Sequence, residues 1–248
     1  MGLGMKHGIY ASSVGGQAEV ITEGLVLHLD PKNASSYGGS GTTWTDLSDQ
    51  GNNVTLYNSP SYNSDGYFTF DGSNDYAGRD DILGITDWPF TFSSWIRPAT
   101  DGDGTDSIMG FANDSSNSVY TYQAVASNDK FLVNIRNTGY VFAYLDDDSD
   151  VRDGVWYNYV LCAISDTERK TYINGVLNSS YSQAASYTIT TNVNFTTNQD
   201  SFDIGRLGRL SHTDYFKGDV SAMMVYDREI SQDEVTNNYN ALKSRFGY

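Results

Sequence analysis

The sequence is poor in cysteine, in positive charge, in glutamate and in long apolar runs, and each shortage excludes something. Cys162 is the only cysteine, so no intrachain disulfide exists and an apolar core must hold the fold. It lies in WYNYVLCAI, in step with Trp156, Val160 and Ile164, and reads as a buried, inert thiol rather than a nucleophile. Lys and Arg number 15 against 31 Asp and Glu, a formal net charge of -16. Proteins that neutralise phosphates carry basic faces, so a nucleic-acid partner is excluded and an anionic membrane is a poor fit. No stretch approaches the roughly 18 apolar residues of a membrane span. The leading MGLGMKHGIYASSVGGQ has no apolar segment of the signal-peptide kind, so synthesis in a cytoplasm without export by that route is expected. Glutamate occurs only at positions 19, 23, 168, 229 and 234. The acid is therefore mostly Asp, whose short side chain bonds nearby backbone amides in turns, which makes most of the charge loop charge that keeps the protein soluble.

What the chain does have is aromatic and turn chemistry. Its 248 residues suit one domain, and 19 Tyr, 11 Phe and 4 Trp stand among abundant Thr, Ser, Asn and Gly. From Leu25 onward, short runs of period two alternate with turn clusters: GLVLHLD, GYFTFDGSNDYA, PFTFSSWIRP, KFLVNIR, YVFAYLD, VWYNYVLCAI, SFDIGRL and DVSAMMVYD among them. In PFTFSSWIRP, Phe90, Phe92 and Ile96 share one face while Thr91, Ser93 and Trp95 share the other. Two faces with different partners imply stacked sheets, so the expected fold is all-β, a two-sheet antiparallel sandwich over residues 23–248. One segment, ISQDEVTNNYNALKSRF, reads as a short C-terminal helix. Ser231 and Glu234 form a capping box, and Val235, Tyr239, Leu242 and Phe246 recur at helical spacing. Residues 1–22 hold five glycines within the first sixteen positions and no sustained period, so they read as an extended arm. No solenoid or propeller repeat is visible.

Several segments together resemble the laminin-G-like subset of the concanavalin A-type lectin/glucanase superfamily. GLVLHLDP with TTWTDLSDQGNNVTLYN is similar to that family's entry strand and Asp-Leu-Ser-Gly-Asn-Gly-Asn loop, and FDGSNDYA to its Phe-Asp-Gly-x-x-Asp-Tyr strand. FTFSSWIRP resembles its aromatic-rich strand, and DGVWYNYVLCAI with RKTYINGVL its Trp strand and Tyr-x-Asn-Gly hairpin. FDIGRL and FKGDVSAMMVYDREISQDEVTNNY resemble its closing strands and terminal helix. The six pieces stand in family order over roughly residues 24–240. The resemblance implies a jelly roll, and it extends to such domains in bacteriophage virion proteins.

The chemistry the family can carry is only partly represented. Retaining glucanases need two acids about 5 Å apart, supplied as Glu-x-Asp-x-Glu along one strand. No such triplet exists here: Asp146, Asp147, Asp148 and Asp150 form a turn without Glu. G-x-S-x-G is absent, and His7, His28 and His212 have no metal-ligand spacing; His28, between Leu27 and Leu29, reads as an ordinary strand residue. DGDGTDSIMGFA imitates an EF-hand loop but has Asp106 where Gly is required and Ala112 where Glu is required. No catalytic residue is assigned, and the expectation is a protein that is not an enzyme.

Two binding sets remain. Many relatives hold calcium, and here Asp46, Asp49, Asn52 and Asn53 in TDLSDQGNN offer hard oxygens, although the closing strand has Ser221 and Ala222 where relatives carry an acidic pair. The competing reading of that loop is simple turn-making. A sugar needs aromatic platforms flanked by amides and carboxylates, which Trp95, Tyr140, Tyr144, Tyr157 and Tyr159 supply if they face solvent. Strand aromatics otherwise serve as cross-strand packing pairs.

A lectin-like domain without an export signal is consistent with a virion component released by lysis. The first expectation is thus a virion surface protein, a decoration or tail-associated subunit of a bacteriophage, whose residues 1–22 grip capsid or tail proteins and whose sandwich faces outward, by analogy as a homo-oligomer. The second is an adhesin recognising host cell-surface glycans. An enzyme acting on polysaccharide is the third.

Overall fold

The computed structural model describes residues 18–101, 105–113, 119–125, 130–137, 139–145, 151–165, 168–178, 181–183, 199–208 and 214–248. In chain order the strands are β1 (Leu25–Leu29), β2 (Thr43–Trp44), β3 (Val54–Tyr57), β4 (Ser61–Asn63), β5 (Tyr67–Asp71), β6 (Tyr76–Arg79), β7 (Phe90–Pro98) and β8 (Thr105–Ala112). There follow β9 (Val119–Val125), β10 (Lys130–Asn137), β11 (Gly139–Leu145), β12 (Tyr157–Ala163), β13 (Arg169–Ile173), β14 (Val176–Leu177), β15 (Tyr181–Gln183), β16 (Ser201–Ile204) and β17 (Lys217–Tyr226). The helix α1 (Gln232–Leu242) and a short 3-10 turn, Lys243–Phe246, end the chain. Neither is long and apolar enough to cross a membrane.

The strands form two antiparallel sheets. One is eight-stranded, in the order β14-β13-β12-β7-β17-β5-β4, with β1 beside β17. β5 pairs with Lys217–Val220 of β17 and β1 with Met223–Tyr226, so the two share one edge of it. The other sheet is nine-stranded, in the order β15-β11-β10-β9-β8-β16-β6-β3-β2. This is the two-sheet sandwich that the alternating pattern implies.

Alternation along β7 separates two cores. Phe90, Phe92 and Ile96 enter the layer between the sheets with Phe68, Phe111, Phe131 and Phe202. Trp95 faces away from that layer, joining Val160, Cys162, Met224 and Tyr226 in a second core closed by Ile230, Val235 and Leu242. The C-terminal helix is therefore a third layer over the outer face of the eight-stranded sheet. Its start follows the capping box: Ser231 Oγ accepts from the Glu234 amide, and Glu234 accepts from the Ser231 amide in return. Arg228 adds two bonds to the same Glu234 carboxylate, at 3.0 and 2.7 Å.

The last residues of the segment read as an arm touch the sandwich. Val20 and Ile21 pack against the second core, the Ile21 amide donates to Asn238 Oδ1, and its carbonyl accepts from the Tyr226 hydroxyl. Residues 1–17 of the arm lie outside the described residues.

Candidate functional site

The predicted aromatic set does not converge. Trp95, Tyr157 and Tyr159 sit on the eight-stranded sheet, whereas Tyr140 and Tyr144 belong to β11 of the other, with side chains outside the described set. Trp95 is 0% exposed, stacked on Phe246 at 4.0 Å and on Tyr239 at 5.6 Å. Tyr159 is also fully buried, lying flat on Phe131 at 4.1 Å, and burial raises its phenol well above the ordinary value of 10.0. Tyr157 is buried edge-on to Phe131 and donates to Asp153. These three rings are packing elements, because burial in the two cores withdraws them from the surface a sugar would need.

The TDLSDQGNN loop is likewise turned inward. Asp46 Oδ1 accepts from the amides of His28 and Ser48, and Oδ2 from the Ser48 hydroxyl and the Asn52 amide. Asn53 Oδ1 accepts from the Asp46 amide, and the Asn52 side chain donates to the Val26 carbonyl. Asp49 is exposed, with a positive φ of 67°. The four do not fit a calcium ion: the two best oxygens are already saturated by the loop they hold in shape. No cluster of three or more His, Cys, Asp or Glu able to hold a metal occurs among the described residues.

A different constellation lies on the outer face of the nine-stranded sheet, where no described helix packs. In β3, Val54 and Leu56 point inward, which turns Thr55 and Tyr57 outward. β6 pairs with β3 and sets Tyr76 directly opposite Tyr57. The two phenol rings stack at 4.4 Å with planes 9° apart. The Arg206 guanidinium then lies 3.5 Å from the centre of the Tyr76 ring. The result is a column of Tyr57, Tyr76 and Arg206, open at the Tyr57 end, where the residue is 36% exposed.

The column is anchored by a buried acid. Asp203 lies on β16 between the inward-facing Phe202 and Ile204, so it takes the outer face, yet it is only 2% exposed. Its Oδ1 accepts from Arg206 Nε at 2.7 Å and its Oδ2 from Ser201 Oγ at 3.2 Å. Burial pushes its carboxyl pKa up, an effect that Arg206 and the Ser201 bond oppose. Two glycines make room for it: a Cβ would lie 2.8 Å from Asp203 Oδ1 at Gly78 and 1.8 Å from Oδ2 at Gly208. Two exposed asparagines lie next to the pair in sequence, Asn58 and Asn74. Asn58 follows Tyr57, and its side chain donates to the backbone carbonyl of Asn74, joining the end of β3 to the turn before β6.

Elsewhere among the described residues, the buried carboxylates have partners. Asp30 pairs with Arg245, Asp106 with Arg152, Asp219 with Arg97 and Glu234 with Arg228. Asp75 accepts from the Asp71 amide.

Sequence reasoning passed over this site although its signals were present. The alternation of VTLY already turns Tyr57 outward, and FDGSNDYA and FDIGRL, which served as fold markers, contain Tyr76, Asp203 and Arg206.

Comparison with solved structures agrees with the architecture. A Trypanosoma rangeli sialidase in complex with sialic acid superposes with a TM-score of 0.64 at 14% identity, over 91% of this chain and 34% of that one. The binding domain of botulinum neurotoxin DC in complex with SialylT gives 0.62 at 11% identity, over 89% and 52%. The serotype D binding domain gives 0.61 at 13%, over 88% and 52%. The chain thus spans between a third and about half of these structures, and at such identities the likeness is one of fold. No curated protein matches the sequence significantly. The family model Laminin_G_3, described as Concanavalin A-like lectin/glucanases superfamily, matches residues 64–236. With most of its length matched and the two-sheet sandwich in place, the chain belongs to the concanavalin A-like lectin/glucanases superfamily.

Proposed function

We propose that this domain binds carbohydrate without altering it, on the outer face of the nine-stranded sheet. The observation that carries the reading is the column of Tyr57, Tyr76 and Arg206. Its end residue, Tyr57, is exposed and stacked on a supported ring, with the exposed Asn58 next to it in the chain. A pyranose offers an apolar face of C–H groups and a rim of hydroxyls, which such a platform matches. Binding of sialic acid and SialylT by proteins that share the fold supports the ligand class. The absence of catalysis rests on the acids. Hydrolysis by the two-acid route common to most glycoside hydrolases needs two carboxyl groups facing one bond, one of them able to hold a proton. The acid at this site, Asp203, is tied to Arg206 beneath the platform. A glycan array, run with and without added calcium, tests the binding. Reducing ends released from a polysaccharide panel would defeat the non-catalytic part, and an array blank under both conditions would defeat the whole.

A second reading concerns attachment. Val20 and Ile21 dock under α1, on the side of the sandwich opposite the Tyr57 face. We propose that the residues preceding Val20 tether the domain to a larger assembly, such as a virion, with the binding face outward. Removing residues 1–17 should abolish incorporation into that assembly while leaving the melting temperature unchanged; retained incorporation would reject the tether.

A further inference from the structure

We infer that the ligand of the Tyr57 platform is an uncharged glycan, not a sialylated or otherwise anionic one. The inference rests on the carbohydrate reading above and narrows it. Recognition of a sugar carboxylate calls for an accessible cation whose charge is not already matched, typically an arginine fork that meets the two oxygens side by side. The arginine of this site is not in that state. Arg206 gives its Nε to Asp203 at 2.7 Å and lays its plane against Tyr76, so its charge is matched by a buried carboxylate within the same column. Only 12% of its side chain is exposed, and the column stands between it and the open end at Tyr57.

The next cation along the strand is also matched. Arg79, at the end of β6, pairs with Asp81 and donates to the Asn53 carbonyl. The neighbours of the two tyrosines in sequence are neutral or acidic: Asn58, Ser59 and Asn74 are exposed, and so are Asp71 and Asp80 on either side of β6. The whole chain carries -16. A glycan bearing a carboxylate or sulfate would therefore meet repulsion at long range and, among the described residues, no unmatched cation at contact. A neutral pyranose has no such cost. It needs C–H groups over the Tyr57 ring and hydroxyls toward the Asn58 amide.

The test compares matched pairs of oligosaccharides, each neutral glycan beside its sialic acid-capped counterpart, by calorimetric titration of the full chain at low and at physiological salt. The expected result is binding of the neutral member at least tenfold tighter than its capped partner, with the gap narrowing as salt rises. Equal or tighter binding of the capped members would overturn this inference and leave the carbohydrate reading standing. Absence of binding to either member of every pair would overturn both.

Discussion

Trp95 lies flat on Phe246, ring centroids 4.0 Å apart and planes 12° from parallel, and this contact fastens the C-terminal turn to the middle of a β-sheet. Tyr239 extends the stack on the same indole at 5.6 Å. Trp95→Ala removes a fully buried side chain from the second core, which is expected to cost about 3–5 kcal/mol. Phe246→Ala removes a half-buried one and should cost about 1–3 kcal/mol. Thermal unfolding checks both, with a drop on the order of 10 °C for Trp95→Ala. A change within error for Trp95→Ala would mean that the helix layer contributes nothing to the cooperative unit.

Cys162 faces the same second core, 0% exposed, and burial raises its thiol to about 11. Thiolate is the reactive species, so the folded protein should leave a thiol reagent unconsumed at pH 8. One equivalent should react once denaturant has unfolded the chain. Fast labelling of the native protein would show that the layer above Cys162 opens readily.

Glu234 couples helix formation to pH. Two bonds from Arg228, together with those of the capping box, hold its carboxyl below the usual value of 4.5. A lowered folded-state pKa means that the ionised form is the stabilising one. The contribution is complete above the unfolded value and fades as pH falls through the folded one. Glu234→Gln is therefore expected to cost about 1–2 kcal/mol at pH 7, and the difference from the parent protein should shrink below pH 4.5. Denaturant melts of the two proteins across pH 3–7 give that difference; a gap that stays constant would contradict the ion-pair account.

The sequence announced these features because each depends on local spacing. Alternation in PFTFSSWIRP sorted Phe92 and Trp95 onto opposite faces, and Ser231 and Glu234 marked the helix start, both as the structure has them. Whether an outward face meets water is not local. Trp95 is outward from the first core, yet a helix from the far end of the chain covers it. Tyr157 and Tyr159 alternate with Asn158 and Val160, so the shared face of Val160 and Cys162, which meets the second core, turns these two tyrosines toward the first. The candidate site escaped for a related reason. Tyr57, Tyr76 and Asp203 come from β3, β6 and β16, neighbours only through a sheet order that the chain does not follow in sequence. In the TDLSDQGNN loop, one carboxylate with four donors around it looks from sequence like a metal ligand.

Gly208 permits a direct test of whether the column needs its buried base. A methyl group at that position would stand 1.8 Å from Asp203 Oδ2, so Gly208→Ala must push the carboxylate aside and with it the guanidinium that backs Tyr76. Displacing a buried ion pair should cost about 2–4 kcal/mol of stability. Tyr57→Ala, by contrast, removes a ring at the exposed end and should cost no more than about 1 kcal/mol. If the platform is the binding surface, Tyr57→Ala abolishes glycan binding in a protein that still melts within a few degrees of the parent. Gly208→Ala then weakens binding as well, because Tyr76 loses its support and the upper ring its fixed orientation. Titration of both variants against the best glycan found for the parent decides the matter: undiminished affinity in Tyr57→Ala would move the site elsewhere on the molecule, whatever the behaviour of Gly208→Ala.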